Sequence, residues 1–96
     1  MDKAVLSAEL SQLINKVYKT NVAIGEKDTG RQIEQTYGVD LKSFFAILAD
    51  AIGYKEATSS NFNGILSMTS IQMVNNFFNV IERLKTIRER RWRKKP

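Results

Sequence analysis

Apolar residues recur at helical spacing in four places along the chain, and each recurrence predicts a helix. Leu6, Leu10, Leu13, Ile14 and Val17 form the first stripe, with Val5 and Tyr18 at its edges. Lys3, Ser7, Gln12, Asn15, Lys16 and Lys19 fall largely on the other side. Asp2 is placed to cap this helix, which runs to about Lys19. Val22-Ala23-Ile24-Gly25 is a short apolar link, with Ile24 turned toward the core. Asp28 or Thr29 caps a second, shorter helix to about Tyr37, in which Ile33 and Tyr37 are the buried pair and Gly30 weakens the first turn. Gly38 fits the left-handed position that follows a helix. Asp40 caps a third helix over residues 41–52, and Gly53 ends it. Its core face reads Leu41, Phe44, Phe45, Leu48, Ala51 and Ile52, widened by Ile47.

The last helix starts with Ser70 as its N-cap and carries Ile71, Val74, Phe77, Phe78, Ile81, Leu84 and Ile87 on one stripe. Met73 and Val80 lie beside it, so the apolar face is wider than one small core covers. Residues 54–69 are polar and turn-rich, interrupted by Phe62, Ile65, Leu66 and Met68. Asn63-Gly64 suits a two-residue hairpin turn, and a helical turn over residues 62–68 fits the same pattern. The expected architecture is all-α: a compact bundle of about four helices, with a helix-turn-helix outline where Gly38-Val39-Asp40 joins the second helix to the third. The five phenylalanines then read as core rather than as a ligand box. The expected division is a helical domain over residues 1–87 and a basic C-terminal tail over residues 88–96.

Composition removes several kinds of chemistry. Ninety-six residues make one domain, without cysteine or histidine. Disulfides, thiol nucleophiles and Ser–His or Cys–His relays are thereby excluded, and zinc sites are not expected. No glycine-rich loop is present to cradle a phosphate. Asp2, Asp28 and Asp40 are accounted for as caps, while Glu34, Asp50, Glu82 and Glu89 fall on polar helix positions. No carboxylate pair has a spacing that calls for acid–base work. The expectation is a non-catalytic protein with no metal, no cofactor and no small-molecule substrate. No apolar run reaches the length of a membrane span, and the N-terminus lacks a signal-peptide pattern, so the expected location is the cytoplasm.

Charge is what changes the picture. The net charge of +5 is unevenly distributed: residues 83–96 hold eight basic side chains and one acidic one, while residues 1–82 hold seven basic and nine acidic. A few cations at a helix C-terminus are favoured by the helix dipole, but eight exceed what that requires. Such a block suits a polyanion. The candidate nucleic-acid contacts are Arg83, Lys85, Arg88, Arg90, Arg91, Arg93, Lys94 and Lys95. Trp92 sits among them, placed either to stack on a base or to cover the end of the bundle. The third helix makes a poor reading helix: its open side offers Lys42, Ser43, Ala46, Asp50 and Ala49, and Asp50 repels phosphate.

One stretch carries a family likeness. Glu9-Leu10-Ser11-Gln12-Leu13-Ile14-Asn15-Lys16-Val17-Tyr18, then Ala23-Ile24-Gly25, Ile33, Tyr37-Gly38-Val39-Asp40-Leu41 and the pair Phe44-Phe45 resemble part of the C-terminal region of RteC-type regulators of bacterial conjugative transposons. The likeness covers about a third of the chain. It implies a winged-helix-like, DNA-binding transcriptional regulator of a bacterial mobile element. The chain departs from that family at Lys55-Glu56-Ala57-Thr58-Ser59-Ser60, where the family carries a segment rich in Arg and Lys. The leading expectation is a small helical nucleic-acid-binding protein. Its alternative is a protein–protein interaction module or small-protein inhibitor, homodimeric or with a partner helix on the wide face of the last helix. A third reading places the tail and Trp92 on an anionic membrane surface.

Overall fold

The computed structural model describes residues 2–94, with side-chain surroundings as far as Arg91. The chain is all-α, with helices α1 (Lys3–Tyr18), α2 (Gly30–Tyr37), α3 (Leu41–Ala51) and α4 (Ser70–Lys94), and a 3-10 helix over Ser59–Ser67 between α3 and α4. Among the described residues there is no strand. The segment open to two readings is therefore helical, kinked at Phe62 (φ −118°, ψ 27°) so that Phe62 and Ile65 both point inward.

Three of the expected helix caps form, while Asp28, the other candidate for α2, accepts the Gly25 N–H instead. Asp2 accepts the Ala4 N–H, Thr29 and Gln32 close a reciprocal capping box, and Asp40 accepts from the Ser43 N–H and hydroxyl. Hydrogen bonds from Ser43 hold the Asp40 carboxyl below its ordinary range. At the start of α4 the cap shifts by one residue. Thr69 donates its N–H to Gln72 Oε1, while the Ser70 hydroxyl turns inward and meets Ser7 Oγ at 2.7 Å. That buried pair ties α4 to α1.

The inward faces of three helices are rotated from the expected stripes. On α1 the buried residues are Leu6, Ser7, Leu10, Ser11 and Ile14, while Leu13 and Val17 are exposed. The small hydroxyls face inward because each has a partner. Ser11 Oγ donates to Ser7 O and accepts the Ile24 N–H, and Asn15 holds both backbone groups of Val22. The link after α1 is thus hydrogen-bonded to α1's own side chains. On α3, Ala49 is fully buried, and Ala51, Ile52 and Ile47 are exposed. On α4 the buried line is Met73, Phe77, Val80 and Ile81, leaving Phe78 and Ile87 exposed.

The core is aromatic at its centre. Phe45 touches Phe44, Phe62 and Phe77, with ring centroids 5.1, 5.7 and 5.8 Å away, and Phe62 stacks on Phe77 at 6.1 Å. α3, the 3-10 helix and α4 meet on these rings. Tyr18 packs on Phe44 and donates to Asp40 O, which joins the end of α1 to the start of α3. Gly30 proves to be more than a weak first turn. Its N–H donates to Met68 O, and a Cβ there would stand 2.5 Å from Ile65 O. Only glycine lets α2 approach the 3-10 helix this closely.

Two substitutions test this packing. Gly30→Ala gains about 1 kcal/mol of helix propensity, but the clash is with backbone and cannot be relieved by a side-chain turn. The expected net effect is a loss of about 1–3 kcal/mol in urea unfolding. Phe45→Ala is expected to cost about 3–5 kcal/mol by the same measurement. An unchanged midpoint for Gly30→Ala would contradict the close approach.

Candidate nucleic-acid interface

α4 has 25 residues, so it is about 37 Å long. The molecule measures 51 × 25 × 20 Å, and a helix of that length extends past a body of those smaller dimensions. Among the described residues of α4, none after Ile81 is buried. Leu84 is the last residue packed against the core, and Arg83, Lys85, Arg88, Arg90 and Arg91 are exposed. The helix continues unbroken across residue 87, so the basic stretch is a helical arm continuous with the core helix. Lys95 lies outside the described residues, as do the side chains of Trp92, Arg93 and Lys94.

Arg88 differs from its neighbours. Its Nε donates to Glu56 Oε2 at 2.8 Å, and its Nη2 donates to Glu56 Oε1 at 2.7 Å and to Gly53 O at 2.6 Å. Its guanidinium lies over the Tyr54 ring, 4.4 Å from the centroid. This candidate contact residue is therefore engaged by the body. It clamps the arm to the turn after α3, which Gly53 makes possible with φ +104°. These hydrogen bonds, with the added attraction of Arg88 and Arg91, bring the Glu56 carboxyl down to about 2. The pairing of Glu56 with Arg88 spans 32 residues and follows no local pattern, so nothing in the chain's spacing signals it. The Lys55–Ser60 stretch supplies the carboxylate of the clamp.

The helix-turn-helix outline is present as α2, residues 38–40 and α3. Glu34 Oε2 accepts the Leu41 N–H and so ties the two helices together across the turn. The outward side of α3 holds Ile47, Asp50 and Ala51, with Lys42, Ser43 and Ala46 half-buried. Ala49 is removed from that set by its burial. No guanidinium or amide side chain faces outward there, whereas α4 exposes Arg83, Lys85, Arg88, Arg90 and Arg91.

A second surface lies nearer the start of α4. Leu6, Leu10 and Leu13 of α1, Leu48 of α3, and Val74 and Phe78 of α4 line an open apolar groove of about 230 Å³. Phe78 is 59% exposed and Leu13 43%. This is the part of the wide apolar face that the core leaves uncovered. Among the described residues no three acidic side chains gather to hold a metal, and no helix is long and apolar enough to cross a membrane. No family model, curated protein or solved structure matches the chain.

The clamp has a defined pH dependence. Glu56 has a lower pKa in the folded chain than the ordinary 4.5, so its contribution is fully present above about pH 4.5 and fades as pH falls toward 2. Thermal midpoints of the intact chain and of Glu56→Gln are expected to differ most above pH 4.5 and to converge toward pH 2. Both side chains are exposed, so added salt is expected to narrow the gap. A gap that is constant with pH would contradict the clamp.

Proposed function

We propose that this protein is a small non-catalytic nucleic-acid-binding regulator that uses the basic end of α4 as its contact surface. The observation that carries the reading is a helical arm that projects from a slightly acidic body and bears the chain's excess of positive charge. Arg83, Lys85, Arg90, Arg91, Arg93, Lys94 and Lys95 are assigned as phosphate contacts, with Trp92 as a stacking group. Arg88 holds the arm at its shoulder. The likeness of Leu10 to Phe45 to RteC-type regulators supports the same class, a transcriptional regulator of a bacterial mobile element acting in the cytoplasm.

Salt dependence tests this directly. Each phosphate neutralised adds about −0.9 to the slope of log K against log salt, so seven contacts set an upper limit near −6 on duplex DNA. The intact chain is expected to show a steep slope on a generic duplex, and a chain ending at Ile87 to lose binding. Arg90→Gln with Arg91→Gln keeps the clamp and is expected to flatten the slope by about 2. Binding that ignores salt, or that survives the truncation, would overturn the reading.

The groove beside Phe78 supports a second reading, a protein–protein module that takes a partner helix or a second copy of the chain. Sedimentation over a wide concentration range is expected to show self-association that Phe78→Ser abolishes. A monomer at every concentration would rule out the second copy.

A further inference from the structure

The apolar groove is bordered on α1 by charge of both signs. Leu13 and Phe78, both exposed, stand on its lip, and Glu9 lines it beside them. Glu9, Gln12, Leu13 and Lys16 also line an open recess next to the groove, so these four α1 side chains share one outer face. All four are exposed. Glu9 lies four residues before Leu13, and Lys16 three after it. Among the described residues the salt bridge present joins Arg88 to Glu56, and neither Glu9 nor Lys16 has an ion-pair partner within the chain. α1 and α4 run in the same direction along the groove: Ser7 meets Ser70 near their starts, and Leu13 and Phe78 reach the groove further on.

Resting on the protein–protein reading of this groove, we propose that its occupant is a second copy of the chain, docked about a two-fold axis beside Leu13 with the two α1 helices antiparallel. A two-fold interface uses the same patch on both copies, so every contact of one residue with another is made twice, with the roles exchanged. The outer face of α1 meets that condition. With the axis between Gln12 and Leu13, position 9 of one copy falls opposite position 16 of the other, so Glu9 and Lys16 pair once on each side of the axis. Because α4 runs alongside α1, the same rotation brings Phe78 and Leu13 of the two copies together at the axis and closes the two open grooves on each other. An apolar centre with charge paired at its rim is the anatomy of a specific interface. A different partner helix gains from Glu9 and Lys16 only if it carries the opposite charges about 10 Å apart in the matching order. A second copy carries them of necessity. The two basic ends of α4 then leave the shared face in opposite directions, and the contact draws on none of the residues assigned to phosphate.

Charge reversal tests the arrangement. Sedimentation of the intact chain is expected to show a monomer–dimer equilibrium. Glu9→Lys sets lysine against lysine on both sides of the axis, and Lys16→Glu sets glutamate against glutamate. Each variant alone is expected to raise the dimer dissociation constant about tenfold, with helix content by circular dichroism unchanged. An equimolar mixture of the two variants is expected to recover the affinity of the intact chain, because each supplies the charge the other lacks. Native mass spectrometry of that mixture is expected to show dimers holding one copy of each. Association that Phe78→Ser abolishes but that neither reversal alters, or a mixture no tighter than its components, would overturn the two-fold arrangement while leaving the groove as a docking surface. Association indifferent to Phe78→Ser would overturn the groove reading as well. A monomer at every concentration would overturn the inference and leave the groove to a partner helix.

Discussion

Everything the arm does depends on how its base is held, and that is settled by ring packing. Phe77 of α4 lies against Phe45 of α3 and Phe62 of the 3-10 helix, within about 6 Å of each. Offset and edge-on ring pairs of this kind have restricted geometries, so they fix orientation as well as burying area. The 3-10 helix is the wedge in this arrangement. Its kink turns Phe62 and Ile65 inward together, and its far end meets Gly30 of α2 backbone to backbone. A larger residue at position 30 would push the wedge outward and with it the seat of α4. The glycine in α2 and the direction of α4 are therefore parts of one packing problem.

The second constraint is electrostatic and lies where the core ends. Leu84 is the last residue of α4 packed on the core, and one turn later Arg88 occupies the same side of the helix. The inward line thus changes from apolar to cationic as the helix leaves the body. An unpartnered guanidinium there would gain nothing from the body. Glu56, Gly53 O and the Tyr54 ring give it a forked ion pair, a carbonyl and an aromatic face together. A single exposed ion pair contributes little to stability. Its geometric effect is larger, because two parallel hydrogen bonds and a ring contact restrict the angle at which the arm departs. Of the eight basic residues that composition marks as a block, one is spent on structure, and this changes how many remain for a polyanion.

How much of this was legible in the sequence follows from the range of each interaction. Helix ends are local, and Asp2, Thr29, Gly38 and Asp40 were readable because a cap or a left-handed turn involves neighbours in sequence. Helix rotation is not local. Leu13 and Val17 repeat at the same spacing as Leu6, Leu10 and Ile14, and the positions of α4 and of the link after α1 decide that Ser7 and Ser11 go inside in their place. The same holds for Phe78, whose neighbour Phe77 takes the buried place. A 3-10 helix over polar residues has no period of its own to detect, so Phe62 and Ile65 left two readings open. The Arg88 clamp joins positions 32 apart, and composition shows the charge but not its partner.

The carboxylates of α4 bear on the same end of the helix. Spaced four apart from Lys85, Glu89 offsets some of the mutual repulsion of the basic residues, which otherwise disfavours a helix that has left its core. Phe77 inside and Arg88 at the shoulder hold the roll of α4 against the body, so the helix leaves its core in one orientation.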